Sequence, residues 1–415
     1  MKATARSAIG TGDGHGFLRR TDSGGMKRTT VWTVAIFLFV LGDAMALQAR
    51  GPILSSLEAT FGVSEAALGL VAPAGTAGFA IAAVATGLLA GRLRMRWALF
   101  AGVAGVICAL VAMAAAPVYA VFLLALLAQG GAAGVFRGVD RAALSHIHSA
   151  NRGRVYVAYA LAWAVGAVLG PQLVTGVLAV ADWRAVFLVL AALFVPVAVV
   201  AARTELPSME AERSISVDAL RALLGRPAVV GATVGILFTG AVEGIIFTWL
   251  VYYAEGFYGT GTASLLLSTY LLAYIPARTG YTLLVDRVPY LLLMLAATVP
   301  AIPAFAIAFS GITGPVLFTA VFVAGAGLSS CFPALSAYAV EAAPEYSGPI
   351  NALTTGATYV GIATSPAIVG VLAEAYGLNR AIWLVIGFAV LLSSTIAATW
   401  LWTGTPEAPT VDAAT

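Results

Sequence analysis

A few ionisable and amide side chains stand inside long apolar runs, and they are the residues able to do chemistry. They are Asp43, Arg137, Asp140, Glu243 and Arg278, with Gln48, Arg50 and Arg141 close by. A charge held away from water needs a reason. A carboxylate beside a guanidinium either braces two elements permanently, or takes up and releases a proton as the pairing breaks and forms. Asp43 lies about 20 Å along its run, at a depth compatible with Arg137. Asp140, one helical turn from Arg137, competes for the same guanidinium. Gln48 and Glu243 fall at similar depths in two different runs, suited to touching a small solute or to hydrogen bonding between helices. Arg50 and Arg278 would attract an anion. Arg50 is expected at an outer mouth, where reaching for the interface explains it nearly as well. Tyr270, Tyr274, Tyr338 and Tyr359 are cavity candidates, and Arg141 suits an inner gate or a headgroup contact.

Other chemistries lack their parts. No nucleophile–base pair, metal-ligand cluster or phosphate loop is evident, so no catalytic residue, metal or cofactor is expected. The run Gly10-Thr11-Gly12-Asp13-Gly14-His15-Gly16 alternates glycines, but no strand precedes it. Cys108 and Cys331 each lie within an apolar run, which disfavours a disulfide. His146 and His148 sit at the end of an apolar run and receive no chemical role.

The elements that position these residues follow from composition. The chain has 415 residues, 60% hydrophobic and 10% charged, against about 25% charged in a soluble domain. So few charges cannot clothe a water-facing surface, and lipid is the implied solvent. The net charge of +3 does not point to nucleic acid, because the arginines sit in the short gaps between apolar runs. A spanning helix needs about 20 apolar residues. Such runs occur near 30–56, 66–91, 97–116, 118–145, 155–180 and 184–203, then near 227–254, 262–285, 289–309, 314–340, 349–373 and 380–403. The expected fold is all-α, with twelve transmembrane helices. The expected divisions are a disordered tail at 1–28, one six-helix bundle at 29–203, a linker at 204–226, a second bundle at 227–403 and a tail at 404–415. The linker fits either a short helix lying on the inner surface or a plain connection. The first run is too long for a cleaved signal peptide.

Charge asymmetry sets the expected orientation. With the amino terminus inside, the inner segments carry Lys27, Arg28, Arg92, Arg94, Arg96, Arg152, Arg154, Arg203, Arg213, Arg221, Arg226 and Arg287. The outer gaps carry Glu58, Glu65, Asp182, Glu255 and Glu374, with Arg184 and Arg380 as basic exceptions. Both termini are therefore expected in the cytoplasm, in a multi-pass protein of the cell membrane. Trp32, Trp97, Trp183, Trp249, Trp400 and Trp402 fall near span ends, as interfacial indoles would. Trp249, Tyr252, Tyr253, Phe257 and Tyr258 read as an aromatic belt or an extracellular gate.

The halves repeat. A shift of 195 residues carries Leu88, Leu89 and Arg92 onto Leu283, Leu284 and Arg287. It also carries Gly130 onto Gly325, Gly153 onto Gly348, Gly166 onto Gly361, Pro171 onto Pro366 and Gln48 onto Glu243. The offset covers an even number of spans, so the halves share orientation, which is a parallel repeat. Pro73, Pro171, Pro276, Pro300, Pro303, Pro333 and Pro366 would kink their helices.

Several motifs resemble the major facilitator superfamily. Gly87-Leu88-Leu89-Ala90-Gly91-Arg92-Leu93-Arg94-Met95-Arg96 is similar to its loop signature between spans two and three, with Gly91 replacing an Asp and Arg94 a Gly. The second-half equivalent, Leu284-Val285-Asp286-Arg287, keeps the Asp-Arg pair. Gln129-Gly130 matches a span-four pattern in which Leu126 replaces an Arg. Gly166 and Gly170-Pro171 resemble an antiporter motif of span five, with Val174 and Thr175 in place of its trailing Gly pair. The resemblance implies two six-helix bundles around a central cavity and alternating access. It also implies proton coupling, because an acid on span one facing an Arg on span four recurs in proton-coupled members. Arg92, Arg96, Asp286, Arg287, Gly166, Gly170 and Pro171 would then serve gating and loop roles. The expected partners are a small solute, protons and lipid, for a monomer. The alternatives are a multidrug exporter and, from another class, a non-transporting receptor that keeps the fold.

Overall fold

The computed structural model describes residues 23–89, 94–148, 151–206, 223, 225–285 and 287–404. The first half holds span one (Ser23–Gln48), span two (Val71–Leu89), span three (Met95–Ala114), span four (Tyr119–Arg137 with Asp140–Ile147), span five (Arg152–Leu178) and span six (Arg184–Arg203). The second half repeats the order. Its members are span seven (Pro227–Glu255), span eight (Thr260–Leu272 with Tyr274–Leu284), span nine (Tyr290–Ala308), span ten (Pro315–Ser329 with Cys331–Ala342), span eleven (Ser347–Tyr376) and span twelve (Leu384–Thr403). Among the described residues eleven helices are long and apolar enough to cross a bilayer, and span eight, divided at Leu272, is the crossing not counted with them. Residues 23–28 of the expected tail are already helical. Most of the expected linker, 207–222, lies outside the described residues.

Proline explains two of the divided spans. A proline cannot bond to the carbonyl four residues earlier, and its ring crowds that carbonyl. Pro276 stands four residues past Leu272, where the first segment of span eight stops. Pro333 stands four past Ser329, where that of span ten stops. The outward faces carry bare apolar side chains. Ile81, Leu124, Val157 and Leu283 are each more than 60% exposed, a surface suited to acyl chains rather than water.

Small residues set the packing, and they do so twice. At Gly130 of span four the neighbouring backbone is the Gly75 carbonyl of span two; at Gly325 of span ten it is the Tyr270 carbonyl of span eight. Both members of the pair obey the same 195-residue shift. Likewise Gly166 of span five lies on the Leu41 carbonyl of span one, and Gly361 of span eleven on that of Leu237 of span seven.

The bundles meet at mid-depth and at the end away from the chain termini. Tyr252 donates to Glu58 at 2.8 Å, Ser64 to Glu374 at 2.8 Å, and Ser55 to Glu255. Deeper, the Gln172 amide donates to Ser268 at 3.0 Å, and Ser268 donates to the Val168 carbonyl at 2.8 Å. Each joins one half to the other, so this end is shut by hydroxyl–carboxylate contacts. The aromatic cluster thus includes a cross-bundle latch at Tyr252. Not every indole is interfacial: Trp32, Trp183 and Trp249 are 0–2% exposed. Trp249 donates to the Pro366 carbonyl at 3.0 Å and Trp183 to Thr60 at 2.9 Å. Their N–H groups find partners in helix seams, so they need no interface.

Gly130→Ala should cost about 1–3 kcal/mol by overpacking, read as a lower melting temperature in detergent. Gly176→Ala, with nothing within 4 Å of a new Cβ, should leave it unchanged. Ser64→Cys with Glu374→Cys, in a background with the exposed Cys108 replaced by Ser, should be bridged within one chain by a short bifunctional thiol reagent. Absence of that bridge would show the seam is not closed there.

Candidate functional site: one arginine between two carboxylates

Phe39 and Phe136 stack face to face, centroids 3.5 Å apart and 11° from parallel, and so fasten span one to span four. Asp43 follows Phe39 by one turn, and Arg137 directly follows Phe136. The first segment of span four ends at Arg137, the chain steps through Gly138 and Val139, and the helix restarts at Asp140. A Cβ on Gly138 would meet Thr86 Cβ at 2.9 Å, so the bare position lets the broken turn lie against span two.

Beside this break Arg137 meets two acids. Its Nη1 donates to Asp43 Oδ2 at 3.3 Å, and its Nε lies 3.5 Å from Asp140 Oδ2. The Tyr159 hydroxyl donates to the same Asp140 oxygen at 2.6 Å, and the guanidinium lies over the Tyr159 ring at 5.2 Å. Exposure separates the acids: the Asp43 side chain is 16% exposed, that of Asp140 0%. Asp140 is sealed by Tyr159, whereas Asp43 keeps part of its surface uncovered.

Span one ends at Gln48, and Arg50 turns inward before a short 3-10 turn at Gly51–Ile53. The outer-mouth expectation for Arg50 is therefore corrected: the residue is 9% exposed, and its Nη2 donates to Gln129 Oε1 at 3.0 Å. The apolar run continues past the helix end, so hydropathy alone misplaces it. Gln48 is fully buried.

In the other half, Tyr274 donates to Glu243 at 2.5 Å. Arg278 lies over the Tyr274 ring at 5.0 Å, and its Nε donates to the Ser329 carbonyl at 2.9 Å. That carbonyl is the one Pro333 leaves without its helical donor. Tyr270 packs against Tyr274, rings 5.6 Å apart. Tyr359 of span eleven reaches the first half, its ring 4.8 Å from that of Phe79. Tyr338 is not a cavity residue of this kind, since its hydroxyl donates to Thr403 at 2.9 Å at the end of span twelve. His148 bonds Thr33 of span one at 2.7 Å.

Among the loop and motif positions, Arg96 donates to the carbonyls of Ala201 (3.1 Å) and Ala202, tying span three to the end of span six. Arg287 is exposed, and Arg92 and Asp286 lie outside the described residues. Gly166 and Gly170 lie on the backbone of span one; a Cβ at Gly170 would meet the Met45 carbonyl at 2.8 Å and Gln48 Cβ at 3.0 Å. Pro171 sits inside the span-five helix. The sequence reading missed Tyr159 and the partnership of Gln129 with Arg50. A tyrosine in an apolar run does not announce which group its hydroxyl meets.

Comparisons place the fold. A bacterial homologue of the human lysosomal transporter Spinster, in an inward-facing and unoccupied conformation, superposes with TM-score 0.77 at 14% identity, over 94% of this chain and 100% of that one. The nucleoside transporter NupG gives 0.74 at 15% identity, over 90% and 99%. A D-xylose–proton symporter gives 0.72 at 15%, over 92% and 98%. Comparison with curated proteins finds no match. The sequence model of the Major Facilitator Superfamily matches residues 33–262 and again 258–415. With twelve helices in two like halves and that model matched twice along its length, the chain belongs to the Major Facilitator Superfamily.

Proposed function

We propose that this chain is a secondary active transporter that moves a small organic solute by alternating access, coupled to protons through Asp43. The observation that carries the reading is the ion pair of Asp43 and Arg137, formed across two spans at bilayer depth with the carboxylate still open to solvent. A carboxylate that loses its guanidinium in such a site takes up a proton, and surrenders it when the pair re-forms. Asp140 offers Arg137 a second anion, so the guanidinium stays compensated while Asp43 is neutral. The pair can then open without stranding a charge, which would cost several kcal/mol.

In this reading residues 29–203 and 227–403 are the moving bundles and 204–226 joins them, with both termini in the cytoplasm and the protein acting as a monomer in the cell membrane. Gln48, Arg50, Glu243, Tyr270, Tyr274 and Arg278 line the solute site. Arg92, Arg96, Asp286, Arg287, Gly166, Gly170 and Pro171 govern the sliding of spans and loops. A multidrug exporter is the second reading, supported by the close seat of Gly166 and Gly170 on span one.

A solute is found by thermal-shift screening of sugars, organic anions, phosphate esters and drugs. Asp43→Asn proteoliposomes should then fail to accumulate it uphill while counterflow exchange continues. Undiminished uphill accumulation would remove Asp43 from coupling. Solute-stimulated proton flux in the unmodified protein would exclude a receptor without transport.

A further inference from the structure

Arg137 has two carboxylates, whereas Arg50 has none. Among the described residues no acid forms an ion pair with Arg50, although it is more than nine-tenths buried. Its protein partner is neutral, the Gln129 oxygen, and its Nε has no hydrogen-bond partner. A seat is nonetheless built for it. A Cβ on Gly75 would lie 2.5 Å from Nη1 and 2.6 Å from Cζ of Arg50, so the guanidinium rests flat on the bare Cα of that glycine. Two residues earlier, Gln48 is 0% exposed and neither its amide nitrogen nor its oxygen has a partner. Buried polar groups in folded proteins are nearly always satisfied, and an uncompensated buried charge costs several kcal/mol. Gln48 turns toward Gly170 of span five, away from Arg50, so it is the Arg50 guanidinium, seated on span two and short of an acid, that marks a place where a ligand completes the bonding.

The missing ligand must bring negative charge. A guanidinium with free N–H groups matches a carboxylate or phosphate oxygen. Arg278 is the weaker candidate, since it already caps the Ser329 carbonyl. Resting on the transporter reading above, we propose that Arg50, on its seat between spans two and four, forms the anion subsite of the solute, which is an organic anion bearing a carboxylate or phosphate group. Asp43 precedes Arg50 by seven residues, roughly 10 Å of chain at helical rise. An anion seated at Arg50 adds negative charge within that reach of Asp43 and favours its protonation. Anion and proton then travel together.

Purified protein is to be tested by thermal shift at matched ionic strength with benzoate, succinate and glycerol 3-phosphate, against glucose and tetraphenylphosphonium. At least one anion should raise the melting temperature saturably, and the neutral and cationic probes should not. Arg50→Gln should weaken the apparent Kd about tenfold to a hundredfold, the loss of charged hydrogen bonds; Arg50→Lys should fall between. Without ligand, Arg50→Met should melt no lower than the unmodified protein, because it removes an unpaired charge. The subsite is overturned if none of the three anions shifts the protein, if Arg50→Gln leaves the shift intact, or if Arg50→Met melts lower, as a structural arginine would. Asp43-dependent uphill uptake of glucose or tetraphenylphosphonium would overturn the anion while preserving transport. Saturable, Arg50-dependent anion binding without anion flux would support the subsite and remove transport.

Discussion

A guanidinium cannot stay alone in hydrocarbon, and the organisation around Arg137 follows from that constraint. Its two carboxylates stand in different surroundings. Asp140 is held by the Tyr159 hydroxyl and shut from solvent. Asp43 is held by Arg137 with solvent within reach. A single acid would make a brace. Two acids of unequal access make an arrangement in which one pairing can be given up. Asp140 follows Arg137 by three residues, the spacing at which helical side chains meet, and the break at Gly138–Val139 falls between them.

The glycines set how closely the spans of each bundle meet. The seats of Gly130 on Gly75 and of Gly325 on Tyr270 join backbone to backbone with little side-chain interdigitation. Between the bundles the contacts are of another kind: hydroxyls of Tyr252, Ser55 and Ser64 donate to glutamates of the opposite half. Each such contact near water is modest in strength, and on the proposed alternating-access reading this is the seam that opens.

Much of this was legible in the sequence, for physical reasons. Spans show as apolar runs because lipid permits little else. The repeat shows at Gly130 and Gly325 because backbone contact tolerates no side chain there. Asp43 and Arg137 can be matched by rise per residue because both lie within regular helix. The reading fails where geometry departs from the straight rod. The helix of span one stops at Gln48 while the apolar run continues, so Arg50 looks like a mouth residue and is an interior one. Trp249 looks interfacial from its place near a span end, yet the Pro366 carbonyl of span eleven takes its N–H inside the bundle. The partnership of Arg278 with Ser329 is half visible, since Pro333 announces the orphaned carbonyl but not which donor finds it.

The central claim is that protonation at the Asp43–Arg137 pair moves one bundle against the other. Spin labels at Val157 and Leu283, exposed residues near the terminus-side ends of spans five and eight, report that motion by double electron–electron resonance in lipid nanodiscs. The account predicts that the inter-label distance distribution shifts between acidic and alkaline buffer, and that Asp43→Asn fixes it at the acidic-buffer distribution at both. A distribution indifferent to pH in the otherwise unmodified protein would contradict it.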